Sequence, residues 1–145
     1  MKSAFVLAAI AGIFIGTPAF AAQVSASFEN LGSQPMTPGN AKSCTTIQPA
    51  LPTLQPGQSS AEPSRVDCGG VVSTMIISYN MGTKSCGFNI ETTYTPPSPL
   101  ITGSTGYWTP TISAHSYGGA TCKIVKEDIS QLGTTGAFAA TFSMK

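Results

Sequence analysis

His115 is the only histidine in the chain, so it alone could serve as the base of a Ser-His-carboxylate triad or as the imidazole of a metal site. The residues around it assign neither role. The 145 residues contain six carboxylates, none in a spaced acid-base pair, and neither a G-x-S-x-G nor an H-E-x-x-H frame occurs. On the polar side of an alternating segment just before Gly118-Gly119, His115 reads as a solvated surface group. Glu127-Asp128 is an adjacent acidic pair. Calcium would need several more oxygen ligands than it offers, so it reads as a solvated turn or the acidic start of a helical turn.

Cys44, Cys68, Cys86 and Cys122 are spaced by 24, 18 and 36 residues with no C-x-x-C, which argues against zinc, since even a Cys3His site would have to recruit the single histidine. An even number of cysteines behind an export signal points instead to two disulfides. Three connectivities are open. Cys44 with Cys68 and Cys86 with Cys122 is preferred, because each bond then closes a loop of a few tens of residues. Oxidised sulfurs leave no thiolate nucleophile. No cofactor and no metal are expected.

The remaining residues with recognition chemistry are aromatic. Tyr94, Tyr107, Trp108 and Tyr117 sit in segments rich in Gly, Ser, Thr and Pro, where a ring can stack on a sugar or peptide while its polar edge stays hydrated. Trp108 shares a face with Ile112 and Ala114 and reads as core. Tyr94, Tyr107, His115 and Tyr117 form the candidate binding surface. Thr95 to Leu100, with Pro96, Pro97 and Pro99, reads as a stiff extended connector that a protease or a proline-reading groove could also meet.

The elements that must carry these residues follow from apolar periodicity. Val24, Ala26 and Phe28 alternate with Ser25, Ser27 and Glu29, the period of a half-buried strand over 23–31. Residues 32–65 lose that pattern under six prolines and read as a long loop, in which only 43–48 could pair. Val71 to Tyr79 is rich in β-branched residues. The Asn80-Met-Gly-Thr-Lys84 stretch can reverse the chain into 85–94, where Cys86, Phe88, Ile90, Thr92 and Tyr94 share a face, so 71–79 against 85–94 reads as a hairpin. A further strand pair is expected from 107–115 and 120–125 around Gly118-Gly119. Residues 124–132 read either as strand or as a short helix ending at Gly133. Phe138, Ala140, Phe142 and Met144 mark a terminal strand.

Lys2 followed by the apolar run Ala4 to Ile15, then Gly16-Thr17-Pro18 and Ala19-Phe20-Ala21, has the layout of a secretory signal peptide cleaved after Ala21. The run is short for a membrane span, which needs about 20 apolar residues. Cleavage would leave 124 residues as a single domain. Its Lys plus Arg would fall from seven to six by loss of Lys2, equal to the six Asp plus Glu. Scattered bases and a neutral balance argue against nucleic acid.

The expected fold is mainly β: a small disulfide-stapled β-sandwich or partly open barrel with at most one or two helical turns. Two cysteines around a tryptophan only loosely approximate the immunoglobulin pattern. The expected function is that of a periplasmic, secreted or surface module, non-enzymatic, binding or structural, with a protein or carbohydrate partner. The competing expectation is a small enzyme or protease inhibitor whose site forms no motif. A pilin-like subunit is a third, because strand-like first and last segments could pair with a neighbouring subunit.

Overall fold

Alternation of apolar and polar residues is converted almost directly into buried and exposed faces. The computed structural model describes residues 22–145; the leader expected at 1–21 lies outside the described residues. The strands are β1 (Gln23–Asn30), β2 (Thr37–Ser43), β3 (Ser64–Asp67), β4 (Val72–Met81), β5 (Lys84–Thr95), β6 (Tyr107–Tyr117), β7 (Cys122–Asp128) and β8 (Phe138–Met144). A single helical turn, α1 (Leu132–Thr135), precedes β8. Two four-stranded sheets, ordered β3-β1-β8-β7 and β2-β4-β5-β6, form a sandwich, not a closed barrel.

The core lies between the sheets. Val24, Ala26 and Phe28 of β1 and Phe138, Ala140, Phe142 and Met144 of β8 face Met75, Ile77 and Tyr79 of β4 and Cys86, Phe88 and Ile90 of β5. Four rings cross the gap. Phe28 lies 4.7 Å from Tyr79, and Phe88 lies 4.7 Å from Phe142, centroid to centroid. Such tilted pairs add about 0.5–1.5 kcal/mol each beyond the area they bury.

The hairpin expected from 71–94 forms β4 and β5, in register from Val72↔Thr93 to Met81↔Lys84 around the two-residue turn Gly82-Thr83. The terminal strand also forms, but its partner is unexpected in kind: β8 lies parallel to β1, from Val24↔Phe138 to Asn30↔Met144. The first and last strands therefore occupy central positions in one sheet and pair with each other.

Three local expectations are corrected. Residues 32–65 are not a structureless loop: β2 runs over 37–43 rather than 43–48, with Pro38 tolerated because β2 is an edge strand and a register shift separates Pro38 from Ala41. The rest of the segment is hydrogen-bonded too. Met36 pairs with Leu54, Gln48 with Arg65, and the 57–60 stretch runs along β1 through Gln58 and Ser60. Leu54 enters the core, with Ile47 and Leu51 packed against it, so the excursion closes the sandwich on the β2/β3 side. Second, the chain crosses between sheets at Gly118-Gly119, because β6 already pairs with β5 and β7 pairs with β8. Third, β7 takes residues 122–128, and the left-handed cap after the helical turn is Gly136 (φ 74°), not Gly133.

Both disulfides have the preferred connectivity, Cys44–Cys68 and Cys86–Cys122, each with Cα atoms 5.7 Å apart. Each joins one sheet to the other. Cys44 follows β2 and Cys68 follows β3, the edges of opposite sheets, while Cys86 of β5 reaches Cys122 of β7 near the other open side. The chain-entropy model assigns each closure about 3–4 kcal/mol. Removing either pair as a double Cys→Ala variant should lower the unfolding free energy by that amount in urea titrations, and reduction of the wild type should produce both losses together.

Asn30 organises the sandwich end where β1 gives way to the excursion. Its buried amide donates to the carbonyls of Gln34 (2.8 Å) and Leu54 (2.9 Å) and accepts from the N–H of Gly32 (2.9 Å). Asn30→Ala orphans those groups, and a loss of about 2–3 kcal/mol is expected from the same titration.

Candidate functional site

Side chains alternate across a strand, so parity decides which candidates can meet. Tyr107, His115 and Tyr117 of β6 all point to the outer face of the β2-β4-β5-β6 sheet. Tyr94 does not, because it pairs with Trp108 in the register that places both on the inner side. Their rings are 5.1 Å apart and tilted by 49°. Trp108 is only 9% exposed, and Gly136 passes so close to its indole that a Cβ there would overlap the ring. The pair closes one end of the core, as expected for Trp108 and contrary to a surface role for Tyr94. It also lies far from Cys86–Cys122: Ser116, opposite Cys86, is eight residues from Trp108 along β6, roughly 26 Å of strand.

The remaining three divide. His115 and Tyr117 are same-face neighbours, roughly 7 Å apart along the strand, whereas Tyr107 is eight residues from His115, again roughly 26 Å. Gly87 lies opposite His115, and the Tyr117 ring leans over it, with Cε2 3.6 Å from where a Gly87 Cβ would be. An aromatic side chain covering a strand glycine restores packing lost with the missing side chain. No carboxylate flanks the imidazole. The only one on this face of β4, β5 and β6 is Glu91, four residues along β5 from Gly87, roughly 13 Å away. His115 therefore has no orienting acid in place.

The opposite sheet carries a feature that sequence reasoning missed. On its outer face the register aligns Arg65, Ser25, Ala139 and Asp128 in one row across the four strands. Ser27, Thr141 and Lys126 form the next row, with Pro63 beside them. Apart from Gln23 at the start of β1, the central strands contribute small side chains, while the edges contribute long charged ones. The result is a trough of about 360 Å³ with a hydroxyl-bearing floor and walls of Arg65, Lys126 and Asp128. The Ser130 hydroxyl and N–H hold the Asp128 carboxyl below its usual range, so it is ionised at neutral pH. The small outward residues of β1 and β8 were visible as alternation. Their adjacency was not, because it depends on pairing residues more than a hundred positions apart.

A second depression, of about 510 Å³, lies at the sandwich end between the β1–β2 loop and the Gly82-Thr83 turn, with Lys84 and Lys145 on its rim. Among the described residues, no three His, Cys, Asp or Glu side chains gather as a metal site, and all four cysteines are paired. Comparison with known proteins found no matching family model and no significantly similar curated relative.

The Trp108–Gly136 contact can be tested directly. Gly136→Ala places a methyl against the indole at a positive φ that favours glycine, and a loss of about 1–3 kcal/mol is expected. A shift in the emission of the chain's one tryptophan should accompany it.

Proposed function

We propose that this chain is a non-enzymatic binding module of an oxidising, extracytoplasmic compartment, and that its ligand is an extended polar chain, a glycan or a peptide strand, laid along the outer face of the β3-β1-β8-β7 sheet. The observation that carries this reading is the trough itself: a floor of Ser25, Ser27, Ala139 and Thr141 between walls bearing Arg65, Lys126 and Asp128. Small hydroxyl-bearing side chains let a ligand approach the sheet closely and offer hydrogen bonds. Arg65 adds a planar fork suited to carboxylate or sulfate groups.

Rigidity supports the same reading. A site built on paired strands is held more precisely than one on loops, and here the strands belong to one sheet that disulfides join to the other on both open sides. The disulfides are consistent with an oxidising environment, and the leader-like residues 1–21 favour export as the route to it.

Glycan arrays and immobilised envelope proteins, probed with the oxidised protein, test the proposal. A ligand retained by the wild type should bind at least about tenfold more weakly to Ser27→Trp, which fills the trough from a solvent-facing position, and to Arg65→Ala, with thermal unfolding unchanged. Equal binding by both variants would overturn the assignment of the trough. A catalytic turnover that disappears in His115→Ala while the fold survives would overturn the non-enzymatic reading.

A further inference from the structure

Four strands end the two sheets, β3 and β7 in one and β2 and β6 in the other, and three of them are blunted. β3 is four residues long and is covered where Gln48 bridges to Arg65. β2 carries Pro38 and a register shift before Ala41, and β7 has its own shift between Ile124 and Lys126, with charged residues on both sides of it. Short length, proline, bulges and edge charge are the devices by which sheets avoid accepting strands from other chains. β6 has almost none of them. Its eleven residues stay in continuous register with β5 from Tyr107↔Thr95 to Tyr117↔Ser85, and none is an acid, a lysine or an arginine.

Pro110 is the one irregular residue in β6, and hydrogen-bond parity explains why the strand tolerates it. The Tyr94 N–H donates to the Val71 carbonyl at 2.7 Å, so even-numbered residues of β5 bond toward β4 and odd-numbered ones toward β6. Opposite them, the odd-numbered residues of β6 use their backbone groups on β5. The even-numbered residues Pro110, Ile112, Ala114 and Ser116 therefore turn theirs to the other edge. Among the described residues β6 pairs with β5 alone, so that edge faces no further strand. Proline falls where the β5 ladder needs no donor.

Tyr107 and Tyr117 are the only exposed aromatic side chains among the described residues, at 60% and 58%. They stand at the two ends of β6 on its outer face, with Ile112 midway between them. Antiparallel pairing of β6 with a second β6 about Ile112 sets Tyr107 of each copy opposite Tyr117 of the other. Aromatic pairs directly across a ladder are stabilising. On the same face Thr109 meets His115 and Thr111 meets Ser113, so no like charges oppose one another. The register also matches edge-facing backbone groups with edge-facing ones, Ile112 with itself across the axis and Ala114 with Pro110. It is the register that overlaps the whole strand.

We infer that β6 is the interface of a two-fold dimer of this chain, in which the two β2-β4-β5-β6 sheets join edge to edge into one. β7 favours a second copy over a foreign strand. The Cys122 N–H donates to the Ser116 hydroxyl at 3.1 Å, so β7 starts beside the end of β6 and runs back along the same side of the sandwich. Its cations come first and its anions last, Lys123 and Lys126 before Glu127 and Asp128. The axis that pairs β6 with itself brings the Lys123 half of one β7 toward the Glu127-Asp128 half of the other, twice. It also carries the exposed Ile124 and Val125 toward the second copy. Self-complementarity of this kind is what an isologous interface requires. The axis stands perpendicular to the sheets, so both troughs stay open on one face of the dimer, and the pairing is independent of any ligand they hold.

Sedimentation velocity of the oxidised protein, over a series from micromolar to millimolar concentration, tests the inference. The wild type should pass from monomer to dimer and no further, because the interface closes on itself. Ala114→Pro removes an N–H that only the dimer uses and should leave a monomer with unchanged thermal unfolding. Two charge variants on the solvent-facing side of β6 test partner and register together. Thr111→Lys with Ser113→Lys sets lysines opposite each other across the axis and should raise the dissociation constant about tenfold or more, whereas Thr111→Lys with Ser113→Glu sets opposite charges there and should restore dimerisation. Tyr107→Ala removes both tyrosine pairs and should weaken the dimer by about tenfold. A wild type that stays monomeric throughout, or a dimer indifferent to the double lysine change, would overturn the inference. So would a folded Lys-Glu variant that remains monomeric, or capture of another protein's strand by β6 in a wild type that does not self-associate.

Discussion

The rest of the structure depends on contact between the inner faces of two sheets that share no backbone hydrogen bonds. Phe28 and Phe142 on one side meet Tyr79 and Phe88 on the other, and burial of these rings holds the sheets face to face. Every other feature is arranged around that contact. Tyr79 shows how tightly it is drawn. Its phenol is pushed above its ordinary pKa by burial and keeps its proton, which it donates to the Pro52 carbonyl at 3.0 Å. The polar tip of a core residue thereby anchors the excursion that closes one side.

An open sandwich has two sides where the core would meet water, and this chain closes each with a peptide segment and a disulfide. On the β2/β3 side Ile47, Leu51 and Leu54 from the excursion pack on the core, with Leu54 beside Met36 and Asn30 at one end and Cys44–Cys68 closing the other. On the β6/β7 side the segment around α1 brings Leu132 and Gly136 against the core and Trp108, while Cys86–Cys122 closes the far end. A modest core thus gains stability from limits placed on the unfolded chain as well as from packing. The same covalent closure frees the outer faces to carry small polar residues. They lie outside the core.

The aromatic surface inferred from residue types separates in three dimensions because strand parity outweighs composition. Tyr94 was drawn inward by its register with Trp108. Tyr107 and His115 share a face but are most of a strand length apart, and only His115 and Tyr117 remain together. The trough gathers residues that share no local motif. Ser25 and Ser27 come to lie beside Ala139 and Thr141 through the pairing of the first and last strands.

The sequence by itself determined what depends on neighbours a few residues away. Period-two alternation established β1, β5, β6 and β8 and the inward set from Val24 to Met144, and turn chemistry established the β4–β5 hairpin. The spacing of four cysteines favoured one pairing among three, and the fold decided it by bringing Cys44 to Cys68 and Cys86 to Cys122. Tertiary structure alone decided which strands became partners, since β1 beside β8 and β6 apart from β7 depend on filling one core from both ends of the chain. It also turned the proline-rich 32–65 region into an edge strand and a hydrogen-bonded plug. Prolines erase the local periodic signal there, and the energy that orders the segment comes from Leu54, Asn30 and Tyr79, contacts that exist only after the sheets have met.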